Sequence, residues 1–523
     1  MHRVLTIVLA VCGMLVSACA FIPRKPPAQP GDLQSLCATA SVVGLQWSPP
    51  ADRTQIMGYR IYRNGTLLGA TRNAQFSDDA VSGTTNYAYA VASFDARGLE
   101  SHASAVNVTT PAAADAAEPP YCHSRTIDSI TWHWPDAQNE PNGSDLWPVT
   151  WGRDGNVYAF FGDGGGFGGD DHRGRTSFGI AMITGSPPPT PDQKVNVYGG
   201  ERALHAAEIS GKASSIIAVG DDFYAIAEIY RPTDTPGDYA SRPSGSPNHI
   251  GLAYSRRNAY SWRDGGWNFC SANPNGGALS GRFCPTSFVA YGRANAGAPG
   301  GFVYVLGVLN SAPEWSAGIA ATPSDTYLAR VSQRRILEHA AYWYFAGLDA
   351  RGVPIWTHDS ARMQPVFRDR NGPRAGCGGS CNMASTLADA IYDATLQRYI
   401  GIAQGDHMGQ SSFYDAPDLW GPWTCISYNN IDAASGGGGW DNLGTGAGDS
   451  MGIHPISAWT SQDGKTLWLT FSSNGRAPPQ AQFPPPGTAM DSFNLVSATL
   501  NAPNDTGAPR SDSAPDDHRD DRR

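Results

Sequence analysis

The sequence carries little charge and no excess of positive charge. Charged residues make up 16% of its 523 residues, and 37 Lys and Arg against 47 Asp and Glu give a formal net charge of −10. Proteins that bind nucleic acids need a basic surface against the phosphates, so we expect no nucleic-acid partner. Helical periodicity is almost absent as well, and this favours an all-β class.

Several functional segments are missing too. No stretch beyond the N-terminus approaches the roughly 18 apolar residues of a membrane-spanning helix. No His-Glu-x-x-His sequence occurs, so a zinc protease of that type is not expected. The run from Gly162 to Gly169 lacks the Lys-Ser/Thr pair of a P-loop and precedes no helical pattern, which favours a mobile binding loop.

Glycine, proline and aromatic residues are abundant instead. The chain has 60 Gly, 39 Pro, 15 Trp and 21 Tyr. With so few charges, this composition indicates an extracellular β-rich protein with an aromatic-lined binding face.

The N-terminus has the pattern of an export signal. Residues 1–3 supply a positive charge, and the apolar run from Val4 to Val16, about 13 residues, is too short to span a bilayer. Val16-Ser17-Ala18-Cys19 resembles the lipobox of bacterial lipoproteins, which implies cleavage before Cys19 and a lipid anchor on that residue. The alternative is an ordinary secretory signal cut near the same place. The lipoprotein interpretation places the protein at the cell envelope, anchored to a membrane and facing the periplasm or the exterior.

The cysteines of an exported chain are expected to form disulfides. Cys270 and Cys284 flank a loop rich in Gly, Asn and Pro, and Cys377 and Cys381 enclose Gly-Gly-Ser, so both pairs are candidates for local bridges. A metal site at Cys377 and Cys381 is a weaker alternative, because no second Cys or His pair stands at zinc-site spacing. One of the remaining three cysteines must stay without a bridge, and the sequence leaves the pairing open: Cys37, Cys122 and Cys425.

Residues 31–111 predict a small β-sandwich. Short alternating segments recur at intervals of about 8 to 14 residues, as in such sandwiches, and Asn64-Gly65 is a strong hairpin signal. The sequence of residues 31–111, with the segments LQWSPP…GYRIYRNG…FSD…YAYAVASFDARGLES…VNVTTP, resembles a fibronectin type III domain along the whole length of the segment. The resemblance implies a spacer or accessory module. We see no catalytic set of residues in it.

Composition divides the rest of the chain. We predict a signal peptide at 1–18, a Pro-rich tether at 19–30, an Ala-rich linker at 112–120 and a disordered charged tail at 503–523. The large region 121–502 repeats strand signals separated by turns such as Asp154-Gly155 and Asp463-Gly464. The signals lie at residues 156–161, 215–219, 223–230, 302–309, 327–331, 341–346, 398–403, 467–472 and 494–500. It is too long for one sandwich, and radial blades would bury its strands without long exposed edges. A blade period of about 40 to 70 residues predicts five blades.

Several sequence segments of the large region show a second resemblance. "DLWPVTWGRDGNVYAFFGDGGGFGG", "YWYFAGLDARGVPIW", "YDATLQRYIGIAQGD", "SFYDAPDLWGPWTCISY" and "PISAWTSQDGKTLWLTFSSNG" are similar to secreted, glycosidase-like β-propeller proteins grouped as domain of unknown function 4185. Some relatives are endo-D-arabinanases. The resemblance spans about residues 140 to 500 and implies a five-bladed β-propeller, and less firmly a glycoside hydrolase acting on arabinofuranosyl chains.

Asp145 and Asp163 are the predicted catalytic pair. Glycoside hydrolysis needs two carboxyl groups, one to protonate the leaving oxygen and one to attack the sugar or activate water. Asp145 precedes one strand-like segment and Asp163 closes the next, so a hairpin turning at Arg153-Asp154-Gly155 would bring both to the opposite end. The arabinanase-like resemblance implies the same positions. The alternative is structural: Asp145 at a strand entry, and Asp163 tethering the Gly-rich loop.

Five further residues are candidates for substrate contact. Glu228 lies among apolar neighbours and is either a third carboxylate of the mouth or an outward residue. Asp389, His454 and Arg175 stand near predicted strand ends, where structural roles are the alternative. Trp147 is a candidate sugar platform, with packing between blades as its alternative.

We expect that the protein needs no metal ion for its function. Ca²⁺ at Asp163, Asp170 and Asp171 is conceivable because their oxygens are hard ligands, but no EF-hand spacing is present. We therefore predict a monomeric, lipid-anchored glycoside hydrolase acting on a polysaccharide without a cofactor. A non-catalytic carbohydrate-binding or adhesion lipoprotein is the main alternative, and a polysaccharide lyase is a weaker one.

Overall fold

The computed structural model describes residues 25–112, 119–230, 248–272, 281–309, 325–368, 386–404, 411–428, 450–473 and 491–503. In these ranges the chain forms β-strands and short 3-10 helices, which confirms the all-β prediction. No helix within them has the length and apolarity to cross a membrane. Cys19, Cys377 and Cys381 lie outside the described residues.

The N-terminal part is a two-sheet sandwich. One sheet has the order β1-β2-β5 and the other β4-β3-β6-β7. Asn64 and Gly65 both have positive φ in the turn between β3 and β4, as a tight hairpin requires. Apolar side chains from both sheets, among them Trp47 and Ile61, form one core. The strands are β1 Gly31–Ala38, β2 Val43–Ser48, β3 Gly58–Arg63, β4 Thr66–Thr71, β5 Gln75–Asp78, β6 Asn86–Phe94 and β7 Ser104–Thr109.

The large region continues with antiparallel meanders. The first two are separate four-stranded sheets, with strands paired in chain order. The first contains β10 Val149–Trp151, β11 Val157–Phe161, β12 Gly179–Ile183 and β13 Lys194–Tyr198. The second contains β14 Ser210–Val219, β15 Asp222–Tyr230, β16 Asn248–Ser255 and β17 Arg263–Ala272.

The next two meanders are joined into one ten-stranded sheet. Their link is a short parallel contact, in which Val289 and Ala290 of β18 face Ala390 and Ile391 of β24. The third meander contains β18 Phe283–Ala290, β19 Phe302–Leu309, β20 Asp325–Ser332, β21 Trp343–Leu348, β22 Pro354–Thr357 and β23 Pro365–Arg368. The fourth contains β24 Thr386–Asp393, β25 Arg398–Gln404, β26 Ser411–Ala416 and β27 Thr424–Ser427.

The fifth meander joins the two ends of the large region. Its strands are β28 Ser450–Pro455, β29 Thr466–Ser473 and β30 Ser492–Asn501, and β30 also pairs with β8 Ser129–Trp132 and β9 Gln138–Pro141. Ser129 is opposite Asn501, and Pro141 is opposite Ser492. The first segment of the region therefore completes its last sheet.

Central strands of the meanders are apolar on both faces. Every residue of β11 is buried, and β15 is buried except at its two ends. Short unbroken apolar runs bounded by turns are typical of strands covered on both sides. This explains why β11, β15, β19, β25, β29 and β30 coincide with strand signals in the sequence.

Within the described residues, two disulfides stabilise the fold. Cys270 of β17 bonds to Cys284 of β18, and Cys37 of the sandwich bonds to Cys122 at the start of the large region. Cys425, the last member of the open set, is buried. Disulfides are typical of extracytoplasmic proteins.

Candidate active site

The hairpin β10–β11 brings Asp145 and Asp163 to one end of the first sheet. The turn is closed by hydrogen bonds from the Gly152 N–H to the Asn156 carbonyl (2.8 Å) and from the Gly155 N–H to the Gly152 carbonyl (3.0 Å). At the other end Asp145 forms a β-bridge with Gly162. Because Asp163 directly follows Gly162 in the chain, it lies next to Asp145 in space.

Lys212 of β14 contacts both carboxylates. Its Nζ lies 3.9 Å from Asp145 Oδ2 and also forms an ion pair with Asp163 Oδ2. Two oxygens that contact one nitrogen are separated by less than about 8 Å, twice the limit for an ion pair. Glycosidases place their two carboxyl groups roughly 5 to 9.5 Å apart. The two carboxyl groups therefore lie within the upper limit of this spacing. Lys212 itself had no distinguishing signal in the sequence.

Asp145 is a weak acid in this environment. Its residue is 8% exposed. Burial raises the pKa of the Asp145 carboxyl to about 7; Lys212 lowers that pKa, whereas the carboxylates of Asp163 and Asp491 raise it further. A carboxyl group with this pKa keeps its proton at slightly acidic pH and can donate it.

Asp491, just before β30, was not identified from the sequence. It forms a carboxylate cluster with Asp145, Asp163 and Asp171. Burial raises the pKa of Asp491 to about 6, with further increases from Asp171 and Asp163 and opposing effects of Lys212 and Arg175. Its only sequence signal is an Asp at a strand entry, which is common for structural reasons.

Backbone strain also occurs at the same place. Leu146, Trp147, Asp163 and Asp491 all have positive φ, between 54° and 72°. Residues other than Gly rarely adopt this conformation, and where they do the surrounding structure holds them there, often at functional sites.

Arg175 lies beside the cluster as the second cation. It donates through Nη1 to the carbonyl oxygen of Asp163 and, at 3.4 Å, to that of Asp171. It therefore steadies the loop that carries Asp163.

The Gly-rich segment is packed and hydrogen-bonded, in contrast to the expected mobile loop. A Cβ on Gly164 would lie 2.1 Å from the carbonyl carbon of Gly143, so only Gly fits. The Gly166 N–H donates to Ser144 Oγ at 2.9 Å. Asn196 anchors the backbone of Phe167 from both sides, at 3.0 Å each.

Glu228 lies directly opposite Lys212 in the pairing of β14 with β15. Directly paired residues of an antiparallel sheet project from the same face, so Glu228 and Lys212 share a face. Glu228 is 8% exposed. Glu228 therefore lies buried beside Lys212 and is not the outward residue of the alternative.

Asp389 and His454 form a buried pair near the cluster. His454 Nδ1 lies 2.7 Å from Asp389 Oδ2. Burial raises the pKa of Asp389, and the hydrogen bond and charge of His454 lower it. Gly452, two residues before His454, packs on the backbone of Leu146: a Cβ there would lie 2.5 Å from the Leu146 carbonyl oxygen. Strand β28, which carries His454, therefore contacts the Asp145 segment through Gly452.

Trp147 is placed in the core, which corrects its assignment as a sugar platform. Its residue is fully buried, at 0% exposure. Its ring centroid lies 5.0, 5.1 and 5.0 Å from those of Phe161, Phe167 and Phe493. Its Nε1 donates to the Ser144 carbonyl at 3.1 Å. No ring face is open to a ligand, because other aromatic rings already cover it.

Hydrogen bonds and an ion pair engage two of the three aspartates considered for Ca²⁺. Asp170 Oδ1 accepts from the N–H groups of His172 (2.9 Å) and Arg173 (2.6 Å), and Asp163 pairs with Lys212. Among the described residues, no group of three or more His, Cys, Asp or Glu could hold a metal ion.

One motif escaped the sequence analysis. Residues 448–452 read Gly-Asp-Ser-Met-Gly, the spacing of a hydrolase nucleophile elbow. Ser450 instead begins β28, which pairs with β29, so the strand-to-helix turn of such an elbow is not formed there.

Replacing Lys212 should move the acidity of Asp145 in a defined direction. We expect Lys212→Met to raise the pKa of the Asp145 carboxyl above about 7, because the cation that favours its ionised form is lost. Carboxyl ¹³C NMR titration measures this. Lys465→Met, at an exposed site, is the matched control. An unchanged or lower Asp145 pKa in the Lys212 variant would contradict the described electrostatics.

Comparisons with known proteins give partial similarities. No model of a known protein family matches the chain. It is 36% identical to an alpha-amylase of Niallia circulans over 123 residues, covering 21% of this chain and 10% of the amylase. It is 31% identical to exoglucanase B of Cellulomonas fimi over 126 residues, covering 23% and 12%. It is 36% identical to chitinase Chi52 of Paenibacillus xylanexedens over 86 residues, covering 16% of each.

Solved structures match over similarly short parts. A fibronectin type-III domain of human fibronectin type III domain containing protein 3 is 18% identical with a TM-score of 0.16, covering 17% of this chain and 90% of that domain. The family 28 exopolygalacturonase of Yersinia enterocolitica is 22% identical with a TM-score of 0.16, covering 16% and 21%. The chain spans at most 16% of the length of the amylase, the exoglucanase and the chitinase. Its similarity to these glycoside hydrolases is therefore confined to one part of each.

Proposed function

We propose that the protein is a glycoside hydrolase that cleaves a polysaccharide at the cell envelope, with Asp145 as the acid and Asp163 as the base or nucleophile. The observation that carries the proposal is the pair itself: a buried carboxyl with a pKa of about 7 beside a carboxylate held by the same lysine. The partial similarity to an amylase, an exoglucanase and a chitinase supports a carbohydrate role.

A five-bladed β-propeller is the proposed architecture of residues 121–502. Five antiparallel meanders follow one another, and the strands that begin them contact in series: β10 with β14, β14 with β18, β18 with β24, and β24 with β28. The contact of Gly452 in β28 with Leu146, just before β10, supports closure of this series into a ring. The pairing of β30 with β8 matches the closure that such a ring needs.

This architecture accounts for the gathering of the polar residues. In a propeller the first strands of all blades run in the same direction around the axis, as β18 and β24 do. Residues near the starts of these strands then share one mouth. Asp145 precedes β10, Lys212 lies near the start of β14, and Asp389 lies in the first half of β24. These residues come from three blades.

The two carboxyl groups divide the chemistry. Asp145 donates its proton to the glycosidic oxygen as the bond breaks. Asp163, paired with Lys212, either attacks the anomeric carbon or takes a proton from the attacking water. Once Asp145 has become a carboxylate, Lys212 stabilises the new charge.

The charge balance favours a neutral polysaccharide. The cluster combines four carboxyl groups, Asp145, Asp163, Asp171 and Asp491, with two cations, Lys212 and Arg175. With Asp145 protonated, three carboxylates still face the two cations, and this small excess of negative charge disfavours a uronate, which a polysaccharide lyase would have to neutralise. Arabinofuranosyl chains, suggested by the resemblance to domain of unknown function 4185, are one neutral substrate class.

The remaining parts of the proposal concern the rest of the chain. Residues 31–111 serve as a fibronectin type III-like spacer, joined by the linker 112–120 to the hydrolase. Cleavage after residue 18 and lipidation of Cys19 would anchor the monomeric protein to a membrane through the tether 19–30. A non-catalytic carbohydrate-binding or adhesion lipoprotein is the alternative function.

Release of reducing sugar and its pH dependence test the proposal. We expect release from at least one of a panel of neutral arabinans, galactans and glucans. Because Asp145 must be protonated to act, kcat/KM should fall above about pH 7, by roughly tenfold per pH unit. Retained binding to a polysaccharide without any release would favour the adhesion alternative. Release that stays constant to pH 9 would exclude Asp145 as the acid.

A further inference from the structure

A cleft lies between the sandwich and the large region, away from the carboxylate cluster. Its volume is about 370 Å³, and its wall includes Arg72, Asn73, Asp79, Arg368, Asp418 and Trp420. None of the residues assigned to the carboxylate cluster lines it. The cleft therefore offers a separate place for a ligand.

Specific contacts on several sides fix the walls of the cleft. Asn73 Nδ2 donates to Asp418 Oδ2 at 2.9 Å, and Arg368 Nη1 lies 3.5 Å from Asp79 Oδ2. Gly352 packs so closely on the sandwich that a Cβ there would lie 2.9 Å from the Thr71 Cα. Together with the Cys37–Cys122 disulfide, these contacts hold the two parts in one arrangement.

The chemistry of the wall suits a neutral ligand rich in hydroxyl groups. Two guanidinium groups, on Arg72 and Arg368, are balanced by two carboxyl groups, on Asp79 and Asp418. The Trp420 indole supplies an aromatic surface and is held in place by a parallel stack on Phe345, with ring planes 7° apart and centroids 6.0 Å apart. Balanced donors and acceptors beside an indole match the hydroxyl groups and C–H face of a sugar.

We propose that this cleft binds a neutral oligosaccharide as a second site, separate from the site of hydrolysis. Its volume falls at the lower end of the range for small-molecule sites, which suits a short segment of a glycan. The sandwich then takes part in substrate recognition as well as spacing. This inference concerns binding alone and does not depend on whether the carboxylate pair hydrolyses sugar.

Titration calorimetry with the full chain tests the proposal. The Asp145→Asn, Asp163→Asn double variant serves as background, so that no probe is consumed. Arabinotetraose, galactotetraose and cellotetraose are the neutral probes, and tetragalacturonate is the acidic probe of matched length. We expect at least one neutral probe to bind, with a Kd at least fivefold lower than that of the acidic probe.

Two variants locate the binding. Arg72→Ala, at an exposed position, should weaken binding of the neutral probe at least fivefold, and Trp420→Leu should do the same provided that thermal unfolding shows an intact fold. Arg97→Ala, an exposed arginine of the same sandwich outside the cleft, should leave the Kd unchanged. Failure of every neutral probe to bind, a preference for the acidic probe, or an unchanged Kd in Arg72→Ala would overturn the proposal. Hydrolysis by the unmodified protein is measured separately, so either result can stand alone.

Discussion

Replacing Asp145 or Asp163 with Asn should each lower kcat by about 10² to 10⁴-fold. This is the typical contribution of a positioned acid or base, and Asn keeps the size of the side chain while removing its proton chemistry. Reducing-sugar release from the best substrate of the panel measures the effect. The two losses should not add in the double variant, because both groups act in the same step.

The control for this experiment is an aspartate of the same region with no place in the cluster. Asp221 is 58% exposed at its side chain and pairs with Arg153 on the surface. Asp221→Asn should retain full activity, since exposed ion pairs contribute little. Activity that survives in both cluster variants would place the reaction elsewhere in the protein.

Trp147→Ala should lower the free energy of unfolding by about 3 to 5 kcal/mol, the usual cost of removing a buried aromatic side chain. The indole is fully buried among three phenylalanine rings, and its loss leaves a cavity beside the hairpin that carries Asp145. Urea unfolding of both proteins measures the change.

A sugar platform would behave differently. Its loss would raise KM and leave stability almost unchanged. Trp343, whose residue is 37% exposed, provides the matched control: Trp343→Ala should cost far less than Trp147→Ala. Equal stability of the Trp147 variant and the unmodified protein would contradict the core assignment.

Local patterns predicted that Asp145 and Asp163 lie side by side. The Arg153-Asp154-Gly155 turn and the two strands beside it lie within one hairpin, so its geometry follows from nearby residues alone. For the same reason, unbroken apolar runs marked central strands such as β15. Strand β17 escaped notice because it is the outer strand of its sheet, and its Arg-Asp-Gly-Gly start lacks an apolar pattern.

Features that join distant parts of the chain were beyond prediction. Lys212 belongs to the second meander. Its sequence neighbours Gly211 and Ala213 form no pattern that would predict its contacts with Asp145 and Asp163. The Cys37–Cys122 bond spans 85 residues and depends on how the sandwich meets the large region. The burial of Trp147 likewise depends on Phe493, which comes from the last sheet.

The pairing of β30 with β8 has a consequence for how the protein is made. Ser129 and Asn501, partners in that ladder, lie 372 residues apart in the chain. Contacts between residues so distant in sequence form slowly, because a long loop must close before they gain any stability. The fifth sheet cannot be completed until nearly all of the chain has been synthesised. We therefore expect the large region to reach its final fold late, after its earlier sheets have already been synthesised.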